Sequence, residues 1–175
     1  MSGAENLTSQ RWTFSARAID NQIERASIRT TLTYRLHPTL TAGIEYNPRA
    51  DKVSPLVNWL AVSETARRPA VILGTSSDRI GTPSGQSFYA TLSKNLHRET
   101  GLPVAPYAGL AYGTYEDRLR AIGGLNIYFT EETSGLIIFD GVHVHPTVNF
   151  SHGRHVFSVV FIRARDPGVS YSISF

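Results

Sequence analysis

Between residues 25 and 36 the chain alternates without a break. Ala26, Ile28, Thr30, Leu32, Tyr34 and Leu36 share one parity, and Arg25, Ser27, Arg29, Thr31, Thr33 and Arg35 share the other. A period of two belongs to a β-strand, whose successive side chains point to opposite faces. A helix would scatter both sets around its axis, and the β-branched content disfavours it. At ~3.3 Å per residue, a strand of this length reaches roughly 40 Å. Tilted by about 45°, it crosses a hydrocarbon layer of about 25–30 Å. His37-Pro38-Thr39 reads as a tight turn. Leu40, Ala42, Ile44 and Tyr46 then alternate with Thr41, Gly43, Glu45 and Asn47. Residues 25–47 therefore predict an antiparallel hairpin with one apolar face.

The same rhythm fills the chain. Further strands are expected at 12–18, 56–63, 69–75, 87–93, 107–115, 118–129, 136–139, 142–150, 156–164 and 169–175. The connections are short: Asp20-Asn21-Gln22, Glu116-Asp117, Thr130 to Ser134, the two-residue signal Asp140-Gly141, and Arg165-Asp166-Pro167-Gly168. The expectation is a single all-β domain over residues 11–175, behind a flexible segment at 1–10. It is an antiparallel up-and-down barrel of about twelve strands. The short apolar pieces at 56–63, 69–75 and 136–139 leave ten or eight strands as alternatives. An even count puts both ends on the same side.

Residues 169–175 carry the most specific signal. Val169, Tyr171, Ile173 and Phe175 alternate with three serines. This resembles the closing strand of bacterial outer-membrane β-barrels. The resemblance implies that Tyr171, Ile173 and Phe175 are read by the outer-membrane assembly machinery of a Gram-negative cell, and that the partner surface is a lipid bilayer.

Composition agrees with that class. No run of 18 apolar residues occurs, which excludes a transmembrane helix but not strands, whose apolar residues are diluted by alternation. Charged residues are 18% of the chain, below the ~25% of an average soluble domain. The chain has no cysteine, so disulfides and thiolate metal sites are excluded. The formal charge is +3, yet only two lysines occur and no basic block exists, so nucleic acid is not an expected partner. Residues 1–10 have neither the basic start nor the apolar centre of a signal peptide, so a mature sequence behind an added methionine is expected. The faces opposite the apolar ones are rich in glycine, alanine and serine, whereas small soluble barrels fill their interior with large side chains. Aromatics near strand ends, including Trp12, Tyr34, Tyr46, Tyr112, Phe129 and Phe150, suit interfacial girdles. A soluble, lipocalin-like carrier of a small ligand is the competing architecture, though no Gly-x-Trp stands near the start.

The candidate chemistry is electrostatic. Arg25, Arg29 and Arg35 share one strand face, and Arg118 and Arg120 another. They give either a positive lumen that attracts small anionic solutes or braces that pair with lumen acids such as Glu45. His143 and His145 share a face with Thr147 and Asn149. Two such histidines can chelate a metal, but no third ligand is evident, and a polar lumen network is the alternative. Ser151, His152 and His155 raise the question of an outer-membrane lipid-modifying enzyme, but no Gly-x-Ser-x-Gly elbow exists. Asp78-Arg79 and Glu131-Glu132 read as solvated turn charges. No cofactor motif is present. The sequence thus favours a passive channel or scaffold barrel over catalysis. It leaves the solute, the openness of the lumen and the oligomeric state undetermined.

Overall fold

A computed structural model describes residues 10–20 and 24–175. Most of the flexible segment expected at 1–10, and Asn21-Gln22 of the first expected turn, lie outside the described residues. In chain order the elements are β1 (Trp12–Ile19), a helical turn α1 (Glu24–Ser27), β2 (Ile28–His37), β3 (Leu40–Asn47), β4 (Lys52–Val62), β5 (Ala70–Ser77) and β6 (Gln86–Ser93). A second helical turn, α2 (His97–Thr100), precedes β7 (Val104–Gly113), β8 (Arg118–Tyr128), β9 (Thr133–Phe139), β10 (Val144–His152), β11 (His155–Ile162) and β12 (Asp166–Ser174). Each strand pairs antiparallel with its sequence neighbours, and β1 pairs with β12. The sheet is a closed twelve-strand up-and-down barrel, which removes the ten- and eight-strand alternatives. The alternation seen in sequence does the closing. Phe14 faces Ile173, Ser15 faces Ser172 and Ala16 faces Tyr171 across the seam. Trp12 and Phe175 exchange two backbone hydrogen bonds of 2.9 Å each.

Several boundaries differ from the sequence expectation. The strand predicted from Arg25 begins at Ile28, because residues 24–27 coil into α1, where the Ser27 hydroxyl donates to the Glu24 carbonyl at 2.8 Å. Arg25 is therefore not a wall residue. The segment at 56–63, apolar on both parities, is part of the longer β4, which runs through Pro55. There Leu56 lines the interior while Trp59 is exposed outside. Asp140-Gly141 is not a two-residue hairpin turn. Asp140 Oδ1 accepts the backbone N–H groups of Val142 and His143, at 2.9 and 2.8 Å, and so opens a four-residue connection. The turn expected at 165–168 falls earlier. Arg163 and Ala164 both take positive φ, of 57° and 54°, the pair of values a tight hairpin turn requires. Pro167 lies inside β12 but beyond the register with β1, which ends at the Ile19–Gly168 pair, so no ladder donor is lost there.

The barrel is inverted relative to a soluble domain. Large apolar side chains point outward along the wall: Leu110 is 50% exposed, Val148 53%, Phe157 51% and Val169 61%. Among the described residues the buried hydrophobic set is small: Ile19, Ala26, Ala70, Ala105, Val160 and Ile162. Buried polar residues outnumber it, among them Arg25, Glu45, Asn47, Asp78, Thr91, His145 and Thr147. Two tyrosines occupy part of the interior by lying over glycines directly across the ladder: Tyr89 over Gly74, and Tyr107 over Gly124. A side chain on either glycine would overlap the tyrosine ring.

Candidate functional site

The end of the barrel away from Trp12 and Phe175 holds most of the charge chemistry. The β5–β6 connection, residues 78–85, does not project into solvent there. Ile80 packs against the cluster of Ile19, Val160 and Ile162, which belong to β1 and β11. Those strands lie four or five places away in the closed sheet, so the connection crosses the lumen. Apolar contact inside an otherwise polar barrel fixes its far end.

Arginine 25 holds the connection from above. Its Nε donates to the Thr82 carbonyl at 2.7 Å, and its Nη2 to the carbonyls of Asp78 and Arg79, at 3.0 and 2.7 Å, and to the Thr82 hydroxyl at 2.9 Å. A buried guanidinium whose donors find fixed acceptors is a structural clamp. Asp78 holds the near end. Its carboxylate accepts the backbone N–H of Arg79 at 2.7 Å and of Tyr115 at 3.0 Å. Gly85 and Gly113 leave room for it, since a Cβ at either position would meet the carboxylate. Glu116, in the β7–β8 turn, completes the latch by bridging Arg79 at 2.5 Å and Arg120 at 2.7 Å. Hydrogen bonds from these two guanidinium groups hold the Glu116 carboxyl at a pKa of about 2.

Asp78-Arg79, expected as solvated turn charges, are thus a corrected assignment. Asp78 is buried and Arg79 is mostly covered. The sequence hint lay in Gly85 and Gly113, whose role depends on a contact between segments distant in the chain. Glu131-Glu132 stay at the rim, where Glu132 meets His152 at 3.3 Å and both are exposed.

Deeper in the lumen, Arg29 forms an ion pair with Glu45 at 2.6 Å, and Asn47 donates to the other Glu45 oxygen at 2.9 Å. Glu45 is 1% exposed, so the bracing role considered from sequence is realised at Arg29. Arg35 lies on the same face of β2 but near the opposite end, in register with Thr41. Arg118 and Arg120 line a cavity with Arg79 and Glu116. His145 is buried, and both ring nitrogens are engaged. Nε2 meets Asp140 Oδ2 at 3.0 Å, and Nδ1 accepts the Arg163 N–H at 3.1 Å. That second bond fixes the proton on Nε2, which donates to Asp140. His143 sits in the β9–β10 connection, its ring 6.5 Å from that of His145. The pair does not share a free chelating geometry, because His145 has no nitrogen left to offer. Ser151 lies on the opposite face of the β10–β11 pair from His152 and His155, which stand directly across the ladder from each other. His152 is exposed at the rim, whereas the ring of His155 stacks on Tyr171 and its Nδ1 lies 2.8 Å from the Tyr171 hydroxyl.

Three adjoining cavities surround the crossing connection, of about 170, 280 and 230 Å³. Among the described residues, the charged ones lining them are six arginines, at 17, 25, 29, 79, 118 and 120, and four carboxylates, Glu45, Asp78, Glu116 and Asp140. Arg17 was not singled out from sequence, although it alternates with Ser15 on the polar face of β1. Its importance comes from register, because it stands directly opposite Arg29. No family model matches the chain, and no curated protein matches its sequence. Function is therefore read from this geometry.

Proposed function

We propose that the chain is an integral β-barrel of a Gram-negative outer membrane and acts as a small, passive, anion-selective channel. The observation that carries this reading is the inversion of the barrel. Its apolar side chains form the outer wall while arginine, glutamate, histidine and hydroxyl groups are enclosed. Water would leave such a wall as one continuous apolar patch, far beyond the ~300–600 Å² that a soluble monomer tolerates. A bilayer removes that cost, and most strands are near the ~9–11 residues a tilted crossing needs. Closure leaves no edge strand unpaired in lipid.

Among the described residues lining the three cavities, six arginines against four carboxylates favour anions. Guanidinium groups stay charged at any physiological pH. The crossing connection narrows the mouth on the side away from the termini, which in this reading faces outward while the termini face the periplasm. Tyr171, Ile173 and Phe175 present the outward alternation that assembly factors would read. A lipid-modifying enzyme finds less support, since Ser151 lies on the opposite face of the sheet from His152 and His155. Purified protein in a planar bilayer is expected to show anion-selective conductance, with selectivity reduced in Arg118→Ser and Arg120→Ser. Cation selectivity, or inserted barrels that pass no current, would overturn the channel.

A further inference from the structure

The largest of the three cavities, about 280 Å³, has a composition unlike the other two. Among the described residues no carboxylate lines it. Its lining combines Arg17, Arg29 and His145, hydroxyls such as those of Ser170 and Thr31, and the apolar side chains of Ile80, Ile138, Val160 and Ile162. Arg17 and Arg29 face each other directly across the β1–β2 ladder, an arrangement that repels when both are charged. Glu45 makes its contact ion pair with Arg29. Among the described residues no carboxylate lies within 4.0 Å of Arg17. The Nε of Arg17 is buried and has no hydrogen-bond partner among the described residues. An enclosed, unpaired guanidinium donor beside a second arginine is costly unless something negative joins it.

We propose that this cavity binds a small organic monoanion, a carboxylate with an apolar body, whose head is held by Arg17. The proposal rests on the anion-selective reading of the lumen and deepens it by naming a site and a ligand class. One uncompensated guanidinium calls for one negative charge. Its planar fork matches a carboxylate with two parallel hydrogen bonds. Ser170, the cross-strand neighbour of Arg17 on β12, stands beside the head. The isoleucine and valine wall takes the apolar body, whose burial adds affinity that a bare inorganic anion cannot gain. The volume is near the lower end of small-molecule pockets, ~300 Å³, so a single-ring or short-chain acid is the size expected.

The test is isothermal titration of the full chain, refolded in detergent micelles, with benzoate, inorganic phosphate and benzylamine, each against empty micelles. Benzoate is expected to bind with a Kd below about 1 mM, and phosphate about tenfold or more weakly by comparison. Benzylamine, equal in shape and opposite in charge, is expected not to bind. Arg17→Ser is expected to weaken benzoate about tenfold or more. Ser170→Asp supplies Arg17 with an internal carboxylate. It is expected to abolish benzoate binding while leaving the barrel folded, so it decides the matter even where Arg17→Ser fails to fold. No benzoate binding, equal binding of phosphate or benzylamine, or unchanged affinity in the folded Ser170→Asp variant would overturn the site. Conductance is measured separately. Benzoate binding without conductance removes the channel alone, and anion conductance without benzoate binding removes this site alone.

Discussion

Single residues at the narrowed mouth determine whether the interior is braced or empty. Glu116 is the clearest case because two arginines share its carboxylate. Its folded pKa of about 2 lies below the ~4.3 of an unperturbed glutamate. A depressed carboxylate pKa stabilises above the unfolded value, and the contribution is lost as pH falls through the folded one. The latch therefore holds unchanged above about pH 5 and weakens between about pH 4.3 and 2. Hydrogen exchange of residues 78–85, corrected for intrinsic rates, is expected to accelerate in that acid window. In Glu116→Gln the acceleration should disappear, with faster exchange already at neutral pH. An unchanged acid response in the variant would show that another group controls the connection. Gly124 makes a different kind of contribution. A Cβ there would meet both the Tyr107 ring and the Ile137 carbonyl, so Gly124→Ala is expected to cost about 1–3 kcal/mol in urea unfolding. Adding Tyr107→Ala should recover only part, because the carbonyl stays in place. A neutral Gly124→Ala would mean that the ring does not lie over the glycine.

Among the elements, the wall and the plug were legible in the sequence to different degrees. Strand β3 lies where its alternation put it, because parity is a local property and the flanking turn is marked by His37-Pro38-Thr39. The start of β2 departs from what the alternation predicts. Arg25 continues the alternation perfectly, yet its guanidinium is drawn out of the wall by carbonyls from residues 78–82, more than fifty positions away. No local pattern carries that information. The same holds for 78–85, whose two glycines, serine and proline give an ordinary loop composition, while Ile80, like Gly85, is a hint of an inward fold. Ile80→Asp replaces that apolar anchor with a charge facing Ile19, Val160 and Ile162. The barrel is expected to remain, judged by circular dichroism. Exchange at 78–85 is expected to rise, and conductance to increase as the mouth widens. Conductance equal to that of the native chain would show that this connection does not set the width.

At the scale of the whole molecule, the barrel type was legible because two periodic signals agree. Apolar alternation marks the outer face, and small or charged residues on the other parity mark an interior that is not a packed core. The candidate site was legible only in part. The excess of arginine was visible, but the pairing of Arg29 with Glu45, the isolation of Arg17 and the commitment of His145 to Asp140 depend on strand register and loop placement. Everything proposed about function depends on what surrounds the outer wall. The chain has no cysteine, so single cysteines can be placed and spin-labelled at will. Labels at Leu110, Val148 and Val159 report the outer wall, and labels at Thr91, Ser158 and Ser172 report the interior. In lipid vesicles the outer set is expected to collide readily with oxygen and hardly at all with a water-soluble nickel chelate, and the inner set to reverse that preference. Equal access of the nickel chelate to both sets would contradict a lipid-facing wall, and with it the membrane barrel.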